Sequence, residues 1–347
     1  MGRKTVRLAL LGCVAAGALV FAGSALATPR LIIGGQTALG SSQVSIQFLE
    51  EKTDASPARI TIYAPAGYTG TFSAAAGTQL GTVHADLQAL AISPDAIISA
   101  DGQIIADNPA THTTDACSPG LHTAVWILRV TVSGQTINVP AYIDAPSPST
   151  DPLSGTSPFR ITFCFTSPYV APPVGAPFGA KIVNAALQLN QGTLTTPSAR
   201  GSYGWRAVVT PYTVGSANPN AAGTVEARGV VDTPDLLSIA VKVTNKKKRT
   251  VRIAGNLRAG DFVLGGATVS LTGSVKAKKK TNSGGNVVFT TRFKKRGTYT
   301  FRLTSTVLPY DITSDGCKTP TAPTLPCASA TANGFVVASR TVRVRIT

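Results

Sequence analysis

The sequence lacks the features that mark helical proteins and most enzymes. Long helix-forming runs of Leu, Glu, Lys and Gln are missing. Only three histidines occur in 347 residues. No Gly-x-Ser-x-Gly, His-Glu-x-x-His, EF-hand or Walker motif is present. The missing runs argue against a largely helical fold. The missing motifs argue against a serine hydrolase, a zinc metalloprotease, a calcium-binding EF-hand protein and a nucleotide-driven enzyme. We therefore expect a non-enzymatic protein without a cofactor.

The first 27 residues have the layout of a secretory signal. A basic head precedes an apolar stretch from Leu8 to Ala22, and Ala25-Leu26-Ala27 supplies the small residues that signal peptidase requires. Cleavage after Ala27 would place the mature chain outside the cytoplasm, in the cell envelope or beyond it. Two alternatives remain open at this point: an uncleaved anchor, and lipidation at Cys13. The first needs roughly 20 apolar residues, more than the stretch offers.

The remaining chain has the composition of an all-β protein. Most apolar segments are short, alternate in period two, and are bounded by Gly, Pro, Asn or Asp. We expect two β-sandwich domains after the helical signal peptide. A large jelly-roll-like sandwich would span residues 28–235, and a small immunoglobulin-like sandwich would span residues 236–347. A split of the first part into two small sandwiches near Pro172-Pro173 is the alternative.

Four cysteines remain after the signal segment: Cys117, Cys164, Cys317 and Cys327. An even number in an exported chain indicates two disulfides, and four cysteines allow three pairings. We favour Cys117 with Cys164 and Cys317 with Cys327, because each pair then stays within one predicted domain. No CxxC spacing supports a cysteine metal site.

Charge is distributed unevenly along the chain. Residues 28–239 carry nine basic and thirteen acidic side chains, a balance of −4. Residues 240–347 carry twenty basic and three acidic side chains, a balance of +17. Such a density of cations attracts polyanions, and salt weakens the attraction. The alternative is that these cations only keep a sandwich soluble and block pairing at sheet edges.

The basic part alternates apolar and charged residues, as expected of half-buried strands. Apolar residues such as Ile253, Leu271 and Phe301 are predicted to face a core. Three basic clusters are predicted to lie in turns and to bind anions. They are Lys246, Lys247, Lys248 and Arg249; Lys278, Lys279 and Lys280; and Lys294, Lys295 and Arg296.

The segment from Val251 to Val307 resembles the bacterial immunoglobulin-like and carboxypeptidase-regulatory-like (transthyretin-like) sandwich repeats. The residues that carry the resemblance are Gly266-Ala267, Val269, Leu271, Thr281, Gly285, Phe289, Gly297 and Tyr299. The resemblance implies a sandwich and no catalytic residues. A Pro/Thr-rich insertion between Val307 and Phe335, which holds Cys317 and Cys327, departs from the pattern.

The first part contains nine candidate strands between Val44 and Val231 but no family resemblance. A polar group of Asp107, His112, Asp115, Cys117 and His122 offers metal-ligand types, or is a loop tied down by Cys117. The neighbouring carboxylates Glu50 and Glu51 would point to opposite faces of a strand, which disfavours a glycosidase pair. Trp126 and Trp205 are either core residues or a sugar-stacking surface.

The sequence therefore predicts a secreted, non-catalytic binding or scaffold protein of the cell envelope. Its partner would be an anionic cell-wall polymer or polysaccharide, bound by the basic sandwich. The scarcity of aromatic residues argues against a nucleic-acid partner. The alternative function is carbohydrate binding, or action on a polysaccharide, by the first sandwich. Nothing in the sequence indicates an oligomeric state.

Overall fold

The computed structural model describes residues 28–35, 43–132, 134–149, 151, 153–260, 262–312 and 325–347. The predicted signal segment with its cleavage site at Ala27, together with Cys13 and Cys317, lies outside the described residues. Within the described ranges nearly all regular structure is β-strand, so the all-β prediction is confirmed. None of the helices in these ranges has the length or apolar character needed to cross a bilayer.

The described residues of the first half form thirteen strands and three short 3-10 helices. The strands are β1 Arg30–Gly35, β2 Val44–Leu49, β3 Pro57–Tyr63, β4 Thr69–Gly70, β5 Gln79–Ala89, β6 Ile97–Asp107, β7 Ala124–Val132, β8 Gln135–Asp144, β9 Arg160–Cys164, β10 Ala180–Leu189, β11 Leu194–Thr195, β12 Gly201–Pro211 and β13 Val225–Thr233. The 3-10 helices are Pro109–Thr111, Pro177–Gly179 and Ala221–Gly223.

Twelve further strands follow among the described residues. They are β14 Asp235–Leu237, β15 Ala240–Asn245, β16 Thr250–Ala259, β17 Phe262–Val263, β18 Thr268–Gly273, β19 Ala277–Lys280, β20 Asn286–Arg292, β21 Gly297–Val307, β22 Tyr310–Asp311, β23 Cys327–Ala332, β24 Phe335–Ala338 and β25 Val342–Ile346.

The first unit is built mainly from one large sheet that curls over its own core, and β4 and β11 form a separate two-stranded sheet. The strand order of the large sheet is β1-β2-β10-β5-β6-β7-β8-β9-β3-β12-β13-β23-β22. Strands β5 to β9 are neighbours in chain order, which makes this stretch a meander. The sheet curls so far that β1 packs on β13. A Cβ atom at Gly229 of β13 would lie 2.8 Å from the carbonyl oxygen of Leu31. Only glycine permits this close approach.

Period-two alternation builds the core of this sheet. In β2, Val44, Ile46 and Phe48 are buried while the residues between them are half-exposed. Trp126 and Trp205 lie at the centre of the core, with 1% and 0% of their surface exposed. The Trp205 ring lies edge-on to Tyr68, with 4.8 Å between the ring centroids. The sugar-stacking hypothesis for the two tryptophans is therefore wrong, because neither ring can reach a saccharide in solvent.

A disulfide joins the long loop after β6 to the end of β9. It links Cys117 to Cys164, 47 residues apart in the chain, so this part of the predicted pairing is confirmed. Cys327 is also disulfide-bonded, whereas its predicted partner lies outside the described residues.

The second unit is a small sandwich of two sheets. One sheet has the order β14-β16-β15, and β16 also pairs with β17 and β20. The other has the order β19-β18-β21-β24, and β25 also pairs with β21. Between them lies a core that includes Ile253, Leu271, Phe289, Phe301 and Leu303. These residues were predicted to face inward, and their burial confirms the predicted alternation.

The insertion between β21 and β24 does not stay with the second sandwich. Strand β23 pairs in parallel with β13 of the first sheet, and β22 pairs with β23. Arg30 of β1 forms a 2.8 Å ion pair with Asp311 of β22. The structure thus places part of residues 236–347 in the first unit. The predicted domain boundary near residue 235 does not account for this return of the chain. Pairing in parallel with a distant strand produces no local sequence pattern from which it could be predicted.

Candidate polyanion-binding surface

Two of the three predicted basic clusters lie together at one end of the second sandwich. The turn Lys246–Arg249 connects β15 to β16, and Lys294–Arg296 connects β20 to β21. Strands β16 and β20 are paired, with Thr250 opposite Arg292. The backbone N–H of Phe293 donates to the carbonyl oxygen of Arg249 over 3.1 Å. We call the seven residues of these two turns the basic tip.

Local contacts hold both turns of the basic tip in place. In the first turn, the side-chain oxygen of Asn245 accepts a hydrogen bond from the N–H of Lys248 over 2.8 Å. In the second turn, the Phe293 and Tyr299 rings are in contact, with 3.8 Å between their centroids. The Tyr299 hydroxyl donates to the carbonyl oxygen of Lys295 over 2.8 Å. These contacts fix the backbone of both turns, and the cationic side chains are exposed to solvent except for Arg249, which is half-buried.

The basic tip lies at the end of the sandwich that is farthest from the first unit. Strand β16 begins beside the tip and ends at Ala259, which pairs with Asp235 at the junction of the two units. There, Arg200 of the first unit donates to the carbonyl oxygen of Gly260. Ten strand residues span about 30 Å. The turn at the junction end, Asn282–Gly285, carries no charge, so the cations of the turns are concentrated at the distal end.

The third cluster was predicted to be a turn, and that prediction is wrong. Lys278, Lys279 and Lys280 belong to β19, an edge strand paired with β18. The Lys279 ammonium donates to the carbonyl oxygen of Val288 over 2.9 Å and lies 5.8 Å from the centroid of the Phe289 ring. Alternation therefore directs Lys278 and Lys280 to the opposite side. Charged side chains on an exposed edge also hinder pairing with other chains.

An additional set of cations lies on the outer face of the sheet that contains β19. Arg343 and Arg345 of β25 lie opposite Thr300 and Thr298 of β21, and Arg302 follows on the same face of β21. This face thus presents guanidinium groups beside hydroxyl groups. The period-two pattern of β25 indicates that its arginines face water, but the sequence did not reveal their place beside the tip, since that depends on the pairing of β21 with β25.

Repulsion among these cations is expected to lower the stability of the second sandwich. Residues 236–310 and 335–347 contain nineteen Lys and Arg residues and a single acidic residue, Asp261. Lys242 and Arg252 are direct cross-strand partners, although like charges directly opposite each other are destabilising. A surface selected only for solubility would mix both signs of charge. An excess of one sign creates a field that attracts polyanions.

The polar group around His112 forms a hydrogen-bond network. The two ring nitrogens of His112 each lie 3.0 Å from a carboxylate oxygen, one of Asp107 and one of Asp115. His122 bonds to Asp144 and to the carbonyl oxygen of Ser118. Within the described ranges, no group of three or more His, Cys, Asp or Glu residues is arranged to hold a metal ion. This network orders the loop that contains Cys117.

The two neighbouring glutamates occupy different environments. Glu50 is buried, and burial raises its pKa well above the usual range even though the nearby Lys181 opposes the shift. Glu51 is exposed. The Lys181 ammonium is itself buried and donates to the carbonyl oxygens of Glu51, Lys52 and Asp54. These contacts anchor the loop after β2 and do not form a carboxylate pair.

Comparison with known proteins leaves the chain without a family. No protein-family model matches it, and no curated protein shows significant sequence similarity to it. Among solved structures, the D0-D1 domain of intimin aligns with 89% of this chain and 97% of its own length, at 7% identity and a TM-score of 0.19. The D00-D0 domain of intimin aligns with 78% of this chain and 98% of its own length, at 11% identity and a TM-score of 0.20. Because both TM-scores are far below 0.5, the functional argument depends on the surface itself.

Proposed function

We propose that this chain is a secreted, non-catalytic binding protein of the cell envelope that attaches to anionic surface polymers through its basic tip. The observation that carries the proposal is the convergence of Lys246–Arg249 and Lys294–Arg296 at the end farthest from the first unit. Six exposed cations on two adjoining turns can contact consecutive charges of a polymer, and the half-buried Arg249 lies beside them. The exposed face with Arg302, Arg343 and Arg345 extends this surface.

Export is the second part of the proposal. It is supported by the signal-like layout of residues 1–27 and by the disulfide between Cys117 and Cys164. Disulfides persist in oxidising compartments and are rare in the cytosol. In the envelope, the first unit would be held away from the polymer by the length of the second sandwich.

The test measures heparin binding, as a model polyanion, at 50 to 300 mM NaCl. In the tip variant, Lys246, Lys247, Lys294 and Lys295 are replaced by Gln. We expect its affinity to fall about tenfold or more and its salt dependence to become shallower, because fewer counterions are released per complex. Retention on purified cell wall should fall in parallel.

A matched control removes the same number of charges elsewhere. Lys52, Arg59, Arg129 and Arg200 are exposed and lie in the first unit, away from the tip. Their replacement by Gln lowers the net charge equally and should change heparin affinity by less than about threefold. Equal losses in the tip and control variants would show that net charge alone drives binding, which contradicts the proposal. Wild-type protein that elutes from heparin at low salt would also contradict it.

A further inference from the structure

The first unit encloses an apolar cavity that no part of the polyanion surface touches. Its volume is about 170 Å³, and it is partly open to solvent. Strands β2, β5 and β10 form one wall, and β3, β7, β8 and β9 form the other. The cavity thus lies within the curl of the first sheet.

The lining is almost entirely hydrocarbon. Among the described lining residues, the polar side chains are Ser56, Asn138, Thr166 and the disulfide-bonded Cys164, and none is charged. Apolar cavities of this size exclude water and accept hydrocarbons; an engineered cavity of about 150 Å³ binds benzene. A hydrocarbon that fills such a cavity gains van der Waals contacts with its walls. The apolar lining and the size therefore favour a hydrocarbon ligand.

Two small residues create the space. Ala85 of β5 and Ala185 of β10 are direct cross-strand partners, and both line the cavity. Most of the neighbouring lining positions carry larger side chains, including Val83, Leu87 and Leu187. Leucine in place of either alanine would fill part of the cavity.

The cavity extends along the strands and has an apolar rim. On β5 it extends from Val83 to Leu87, a distance of about 13 Å at the rise of a strand. Half-buried apolar side chains, including Leu87, Val139 and Phe165, line it where it approaches the surface. This length accommodates an extended alkyl chain.

We propose that the first unit binds one uncharged alkyl chain in this cavity. The described lining residues carry no charge, which favours a neutral ligand, because a buried unpaired charge would be strongly unfavourable. The polar end of such a ligand would remain near the rim, where Asn138 and Thr166 are exposed. This function is independent of the basic tip, since the two sites lie in different units.

The test uses the full mature chain and the neutral fluorescent probe N-phenyl-1-naphthylamine, displaced by 1-decanol. We expect saturable binding by the wild type and at least tenfold weaker binding by Ala185→Leu. The matched control is Ala186→Leu, one residue further along β10. Its side chain lies on the outer face, between Gln47 and His84. The control should bind within twofold of the wild type.

Thermal unfolding gives a second readout. Decanol should raise the melting temperature of the wild type and of Ala186→Leu but not that of Ala185→Leu. If Ala185→Leu fails to fold, Ala85→Val fills less of the same space and should weaken binding in the same direction. Absence of saturable binding by the wild type, or equal weakening by Ala185→Leu and Ala186→Leu, would overturn the proposal. The tip variant should bind decanol like the wild type, which separates this test from that of polyanion binding.

Discussion

Replacement of Glu226 by Gln should strongly destabilise the first unit. Glu226 of β13 is fully buried, and its carboxylate is the shared acceptor of two arginines. The Nε of Arg206 lies 2.7 Å and the Nε of Arg228 lies 2.6 Å from Oε1, and a second N–H of Arg206 donates to Oε2. The substitution keeps the size of the side chain but removes its negative charge.

The expected loss follows from what the substitution leaves behind. The guanidinium groups of Arg206 and Arg228 are largely buried and would face a neutral amide. The amide has only one acceptor oxygen, and its NH₂ group would lie against an N–H group of an arginine. Removing one partner of a buried ion pair typically costs about 3–5 kcal/mol. That is a large share of the roughly 5–15 kcal/mol by which a native domain is stable.

Urea unfolding at pH 7, followed by tryptophan fluorescence, measures this loss. Trp205 precedes Arg206 in β12 and is fully buried, so its emission reports directly on this sheet. Glu51→Gln removes the same charge at an exposed position and should change the free energy of unfolding by less than about 0.5 kcal/mol. A loss below about 1 kcal/mol for Glu226→Gln would refute the reasoning.

The pH dependence provides an independent check. Burial alone would raise the pKa of Glu226, but the hydrogen bonds from Arg206 and Arg228 outweigh it and lower the pKa. A carboxyl group with a depressed pKa stabilises the fold above its unfolded pKa of about 4.3, and this stabilisation is lost as pH falls through the folded pKa. The stability difference between the wild type and Glu226→Gln should therefore be complete at pH 7 and shrink in acid.

Three further predictions concern loops. Replacing Cys117 and Cys164 by Ala removes a disulfide between residues that are 47 positions apart in the chain. The free energy of unfolding in denaturant should fall by about 4 kcal/mol, and a loss below about 1 kcal/mol would contradict this. Burial opposes protonation of His112, but hydrogen bonds that its ring donates to the carboxylates of Asp107 and Asp115 raise its pKa, so His112→Gln should reduce the melting temperature more at pH 6 than at pH 9. Arg249 has a left-handed backbone, with φ of 51°, so Arg249→Val should cost about 1 kcal/mol in urea unfolding while Arg249→Gly should not.

The strands of the second sandwich could be predicted because their signal is local. Residues such as Ile253, Leu271 and Phe301 alternate with polar neighbours, and each is buried. In the first unit the same reasoning missed β6, Ile97–Asp107, where Ala, Asp and Gly interrupt the apolar residues. Its pairing with β5 and β7 maintains it as a strand. Alternation also did not distinguish core tryptophans from exposed ones.

The candidate surface was only partly predictable, because its residues are visible in the sequence but its geometry depends on strand pairing. The basic turns Lys246–Arg249 and Lys294–Arg296 are evident in the sequence, but their contact depends on the pairing of β16 with β20. The sequence pattern of Lys278–Lys280 does not distinguish an edge strand from a turn. The apolar cavity leaves no pattern at all, since Ala85 and Ala185 come together from strands about a hundred residues apart.

By itself, the sequence determined the all-β class, the inward and outward faces of the basic strands, and the separation of charge between the two halves of the chain. The first two depend on residues a few positions apart, and the third follows from counting charges along the chain. Only the tertiary structure decided that β23 returns to the first sheet, that two basic turns form one tip, and that the first sheet curls around a cavity. These features depend on which distant strands pair, and that choice minimises the free energy of the whole chain and not of any segment of it.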